Sequence, residues 1–231
     1  MIPLARNPSE DLRLGPGGLS RAAFAGLRSM MHGNRPAAVC ELCASPLPSE
    51  HPHLLKSEGN QIICACTPCA VLLDGSEAAR FRRIPRDARA LPPLRVSDDD
   101  WQAMGIPVRL AFVVAEGGGA TFAMYPSPAG AVRTEITGAW SAILLEHPVL
   151  AGIRPSVEAL LINRLSGTPE YFVAPIDRCY RLAGLVRTYW RDLSGGPEVP
   201  AQIDRFFADL RAGVAPPHGP VPAAPIGARI R

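Results

Sequence analysis

A chain of 231 residues, 47% of them apolar, has room for one medium domain or for a small module beside one, and it can bury a real core. Its formal net charge of +3 is too small to argue for nucleic acid. Lys56 is the only lysine, so the basic residues are nearly all arginine, which genomic base composition explains as simply as phosphate recognition. No apolar run approaches the roughly 20 residues that span a bilayer. The N-terminus also lacks the charged start, apolar core and small-residue cleavage site of a secretory signal, so the expected compartment is the cytoplasm.

Residues 1–38 are rich in Arg, Gly and Pro and hold one predicted helix, with Ser20 as N-cap and Phe24, Leu27 and Met31 along one face. Two readings stand for this arm: a loose segment with a transient helix, or a helix that orders when it docks on a partner.

A cysteine-rich module is expected over 39–93. It carries Cys40-Glu41-Leu42-Cys43 and Cys64-Ala65-Cys66-Thr67-Pro68-Cys69, which together hold five of the six cysteines. Two Cys-x-x-Cys pairs, Cys40/Cys43 and Cys66/Cys69, can each present two thiolates from one tight turn to a tetrahedral ion. The 22 residues between Cys43 and Cys66 slightly exceed the usual zinc-ribbon insert of about 15–20. The expected ion is zinc, with rubredoxin-like iron as the alternative. Thiolates on a metal also suit a reducing compartment.

Within the insert, His53-Leu54-Leu55-Lys56 and Gln61-Ile62-Ile63-Cys64 read as two strands joined by a turn at Glu58-Gly59-Asn60. Ala70-Val71-Leu72-Leu73 then opens a short helix, giving a treble-clef-like unit rather than a pure zinc ribbon. Cys64, two residues before Cys66, is either an alternative ligand, a thiol supporting the site, or a buried hairpin cysteine, the last being the simplest. His51 and His53 could also ligate, but with four thiolates available the simpler reading is supporting donors or loop residues. Arg80 to Arg89 form a basic connector, and Pro92-Pro93 mark the domain boundary.

An α+β domain is expected over 94–212. Ser97 should cap a helix through the Asp100 amide, with Asp98, Asp99 and Asp100 at its positive end and Gly105 and Pro107 stopping it. A duplicated β-β-α unit should follow, since a shift of 49 residues sets Gly118 on Gly167 and Pro126 on Pro175 without a gap. The first has strands at 108–114 and 120–125 and a helix from Ser127 toward His147. The second has strands at 157–163 and 170–174 and a helix from Asp177 through Trp190. Together they imply a four-stranded, mostly antiparallel sheet with helices on one face. The weak point is 157–163, where Ser156 could instead cap a helix. A last helix near 200–212 should pack Ile203, Phe206, Phe207 and Leu210 inward. The Pro/Ala-rich tail over 213–231 reads as disordered.

Nothing in the sequence demands an enzyme. Gly117-Gly118-Gly119 lies between two strands rather than opening a helix, so it is no phosphate loop. There is no nucleophile elbow and no convincing carboxylate pair. Cys179, in a first helical turn, reads as buried and inert. The corners Tyr125-Pro126-Ser127-Pro128 and Ala174-Pro175-Ile176-Asp177 each end a strand and start a predicted helix. Tyr125, Ser127 and Asp177 are therefore the candidates for partner binding, with plain helix capping as the simpler role of Ser127 and Asp177.

The residues Cys40-Glu41-Leu42-Cys43, His53-Leu54-Leu55, Cys64-Ala65-Cys66 with Cys69, Gly105-Ile106-Pro107, Tyr125-Pro126-Ser127-Pro128-Ala129-Gly130, Pro175-Ile176-Asp177 with Cys179-Tyr180, Leu193-Ser194-Gly195-Gly196 and Ile203-Asp204 with Phe206-Phe207 carry a resemblance. From about residue 38 to 211 the chain resembles a bacterial domain family encoded in gene clusters for nickel–iron uptake hydrogenases. The resemblance implies a setting rather than a chemistry: an accessory role in hydrogenase assembly or electron delivery, with hydrogenase subunits or maturation factors as partners. Two other functions are open at this point, a small rubredoxin-like electron carrier and a nucleic-acid-binding zinc module using Arg80, Arg82, Arg83 and Arg86.

Overall fold

The computed structural model describes residues 38–75, 80–91, 94–117, 120–136, 147, 150, 152–191 and 195–213. The predicted N-terminal helix and the C-terminal tail lie outside the described residues. From residue 38 onward the described chain forms one compact α+β unit built on two antiparallel sheets.

The smaller sheet has the order β2-β1-β3, from β1 (His53–Lys56), β2 (Gln61–Cys64) and β3 (Phe81–Arg83). The expected hairpin is present, turning through a 3-10 segment at Glu58–Asn60. Gly59 (φ 80°) and Asn60 (φ 51°) take the left-handed backbone there, which Gly adopts freely and Asn tolerates. Helix α1 (Thr67–Leu73) follows β2.

The larger sheet has six strands rather than four, in the order β4-β9-β8-β5-β6-β7. These are β4 (Arg89–Ala90), β5 (Leu110–Ala115), β6 (Thr121–Ser127), β7 (Gly130–Glu135), β8 (Glu158–Asn163) and β9 (Glu170–Pro175). The central strands β5 and β8 are buried nearly throughout because both faces of the sheet are covered. Phe112, Val114, Phe122, Leu161 and Phe172 face the long helices α3 (Ile176–Tyr189) and α4 (Glu198–Arg211). Ala111, Val113, Leu160, Ile162 and Val173 face the other way, onto Leu94, Val96, Trp101, Met104 and Ile106 around the short helix α2 (Asp98–Ala103). Side chains alternate between two cores, as the period of two along a strand requires.

Helix α2 starts as expected. Ser97 Oγ accepts from the Asp100 amide, and the Asp100 carboxylate accepts from the Ser97 amide, closing a capping box. Helix α4 buries Ile203, Phe206, Phe207 and Leu210.

The first expected β-β-α unit is not formed as drawn. In place of a helix from Ser127, residues 130–135 are β7, paired with β6 in the register Ser127↔Gly130. Ser127 Oγ accepts from the Ala129 amide, 3.1 Å away, so the hydroxyl that would cap a helix closes a tight turn instead. Gly130 enters β7 at φ 114°, a conformation that favours glycine. Val132 and Thr134 are β-branched and suit the strand. The rest of that expected helix, 137–146, lies outside the described residues. At 158–163 the strand forms, and Ser156 sits at φ 61° ahead of it rather than capping a helix.

The arginine-rich connector contributes to both sheets. β3 completes the small one, and β4 pairs with β9 on the large one. Leu55 of β1, only 2% exposed, belongs to the core beneath α3, as does Ile84. Leu55→Ala should therefore destabilise the whole unit by about 2–5 kcal/mol. Urea unfolding followed by helix circular dichroism checks this. A change below about 0.5 kcal/mol would mean that the small sheet does not share the core.

Candidate metal centre

Cys40 and Cys43 sit on a backbone turn closed by the Ala44 amide on the Cys40 carbonyl at 2.8 Å and by the Cys40 amide on the Ser45 carbonyl at 2.8 Å. The turn is clamped to the end of β2 from two sides. The Glu41 amide donates to the Cys64 carbonyl at 3.0 Å, and the Cys64 amide donates to Glu41 Oε1 at 2.6 Å. Cys66 is the N-cap residue of α1 and Cys69 lies in its first turn, with Pro68 at a position where a missing amide costs no helix bond. The hairpin thus brings a turn and a helix start together.

The four sulfurs of Cys40, Cys43, Cys66 and Cys69 all lie within 4.8 Å of one another, and Cys43 and Cys66 Sγ are 3.6 Å apart. A tetrahedral ion with bonds of about 2.3 Å holds its sulfurs about 3.8 Å apart, so the thiol set has the size of a zinc site. It fits a four-coordinate thiolate ion, zinc or iron alike.

At Cys40 and Cys43 the surroundings favour thiolate. At Cys40 burial raises the thiol pKa, and the amides of Cys66, Leu42 and Cys43 outweigh it, for a net lowering. The Ser45 hydroxyl and amide lower Cys43 to about 6. Hydrogen bonding with Cys66 and Cys43 raises Cys69 to about 12, as expected where neighbouring thiols share protons. Such N–H and O–H donors around the sulfurs are the support that metal thiolates need.

His51, His53 and Cys64 do not join this set but make a second group. Their ligating atoms also lie within 4.8 Å of one another. His53 and Cys64 are opposite each other in the β1–β2 register, and His51 precedes His53 by one strand period. His53 Nδ1 donates to Asp177 Oδ2 at 2.7 Å, in a pair almost fully shielded on the histidine side. In the metal-free chain burial lowers the His53 pKa, and the hydrogen bonds to Asp177 and Cys64 overcome it, raising it to about 9.

Asp177 is therefore not a cap at an open corner. The N-cap of α3 is Pro175, and Asp177, in the first turn of the helix, ties it to β1. Nothing in the sequence signals a contact between residues 124 apart. Tyr125 is half-buried against the core on the α2 side, and Ser127 closes the β6–β7 turn. By the strand register, Ser127 lies at the sheet end shared with Leu110, Asn163 and Glu170, whereas Pro175 lies at the opposite end, beside Glu158. The two corners do not form one surface. Cys179 is fully buried, and burial pushes its thiol well above the ordinary range.

An α+β unit with a convergent four-cysteine cluster of metal-site dimensions is the class that fold and site define. The chain belongs to the family of unknown function DUF5947, whose model matches residues 39–214. No curated protein and no solved structure matches it. Among the described residues no helix is long and apolar enough to cross a membrane.

Removing a cap costs about 1 kcal/mol, whereas stranding one partner of a buried ion pair costs about 3–5 kcal/mol. Asp177→Ala should lie in the upper range in urea unfolding, and it should cost little further once His53 is also Ala. A single-variant loss near 1 kcal/mol would reduce the pair to a helix-start effect.

Proposed function

We propose that this protein is a non-enzymatic accessory protein whose four-cysteine module, folded around zinc, presents a surface to a protein partner in the assembly or operation of a nickel–iron hydrogenase. The observation that carries the reading is the convergence of Cys40, Cys43, Cys66 and Cys69 on one point. Zinc bound there supplies structure rather than chemistry, because four protein thiolates leave no open position. Around the ion the module buries a small apolar cluster, Cys40, Leu47, Leu54, Ile63, Ala65 and Ala70, so the ion supports folding locally while Leu55 and Ile84 anchor the hairpin to the main core. A turn, a hairpin and a helix start around the ion make the unit treble-clef-like.

Helix α1 supports the interaction role. Val71 is 60% and Leu72 81% exposed, closely following Cys69, and Val39 beside Cys40 is half exposed. Exposed apolar side chains this close in sequence to Cys40 and Cys69 suit a contact face. The hydrogenase setting rests on the resemblance set out above.

Two experiments test this. Protein purified without added metal should carry zinc, and Cys66→Ser or Cys69→Ser should each lose that equivalent in elemental analysis. Retention of it in both variants would overturn the ligand set, and a ferric-thiolate visible spectrum would make the protein a rubredoxin-like electron carrier instead. For the partner, Leu72→Glu should leave stability within about 0.5 kcal/mol, as exposed substitutions do. It should also reduce at least tenfold the co-purification of hydrogenase subunits or maturation factors from a strain that expresses them. Undiminished capture would remove α1 as the contact face, and capture of none of them by the wild-type chain would remove the hydrogenase role.

A further inference from the structure

We propose that His51, His53 and Cys64 form a second metal site, separate from the four-cysteine cluster, that binds zinc through His51 Nε2, His53 Nε2 and Cys64 Sγ. Three observations carry it.

The first is convergence. One ligating atom from each of the three residues falls within 4.8 Å of the other two, and neither histidine side chain is turned away to solvent: His51 is 5% and His53 4% exposed. The imidazole rings stand edge to face with centroids 5.0 Å apart.

The second is tautomer. Both histidines point Nδ1 at a group that can only accept. His51 Nδ1 donates to the Pro48 carbonyl at 3.0 Å, and His53 Nδ1 donates to the Asp177 carboxylate at 2.7 Å. Nδ1 must therefore carry the proton in each ring, which turns the lone pair of the neutral imidazole to Nε2. An outer acceptor on the far nitrogen, carbonyl or carboxylate, is the usual partner of a metal-binding histidine, and it fixes both ring orientation and basicity. Here both rings have one. The Nε2 atoms are shielded from solvent.

The third is the donor set itself. Two imidazoles and one thiolate suit zinc, and three protein donors leave a fourth position for water or for a donor from a partner. A Cys64–His53–Asp177 chain also has the layout of a thiol nucleophile with its base and orienting carboxylate. That arrangement needs one imidazole only and gives His51 no part, whereas a metal uses both.

The site stands independently of the four-cysteine reading. Titration of the full chain with Zn²⁺ against a chromophoric chelator should show two equivalents. Cys64→Ser and His51→Ala should each lose one equivalent and keep the other, while Cys69→Ser loses the other and keeps this one. Asp177→Asn keeps the ligands but weakens the outer hydrogen bond, and should lower affinity at this site alone by about 10–100-fold. Circular dichroism of each variant separates loss of a ligand from loss of fold. X-ray absorption at the zinc edge of the two-equivalent wild-type protein needs no substitution and should show mixed nitrogen and sulfur scattering. Sulfur-only scattering, or a single equivalent unaffected by Cys64→Ser and His51→Ala, overturns the proposal. If the wild type binds one equivalent that Cys64→Ser removes and Cys69→Ser does not, this site stands and the four-cysteine reading falls.

Discussion

The β1–β2 hairpin has two working faces, and the period of two along its strands assigns each residue to one of them. Leu54 and Ile63 join Cys40, Ala65 and Ala70 in the small core under the four-cysteine cluster. Leu55 and Ile62 turn to the larger core beneath α3, and His53 shares their side of the hairpin, where it meets Asp177. A register slip of one residue would carry Leu55 out of the main core and His53 away from α3. The register is pinned at one end by the left-handed Gly59 and Asn60, and at the other by the paired contacts between Glu41 and Cys64. Both thiol groups therefore inherit their geometry from the same turn.

Much of this was legible in the chain because the signals are local. Cys-x-x-Cys spacing, the apolar strand runs around Glu58-Gly59-Asn60 and the Ser97/Asp100 cap each depend on residues within a few positions of one another. The structure has the hairpin and the cap in place, and it brings the four paired cysteines together. The strand at 158–163 forms in spite of a competing helix start at Ser156 because β5 and β9 flank it on both sides.

What escaped sequence reasoning was set by tertiary contact or by a side chain with two uses. A serine followed by proline starts a helix or closes a turn with the same hydroxyl, and the pairing of 130–135 with β6 decided for the turn. After Pro126 the chain therefore turns back into β7, whereas after Pro175 it enters α3. Arginines that read as a basic connector are mostly strand residues, and Arg89 meets Glu158, a carboxylate buried at the start of β8, at 3.3 Å. His51 and His53 look surplus only when four thiolates are counted first. Their outer partners, Pro48 and Asp177, are visible only once α3 is laid beside β1.

The two halves of the molecule differ in what holds them. The six-stranded sheet is covered on both faces by apolar side chains and carries its own core, so its folding does not call for an ion. The cysteine module has a smaller apolar cluster of its own and four thiols close enough together to hold one ion. Leu55 and the His53–Asp177 pair cross between them, so order in the hairpin is transmitted to the start of α3 through packing and one buried hydrogen bond. The small sheet and the start of α3 are therefore held by the same two contacts, and the six-stranded sheet is the base to which the hairpin is fixed.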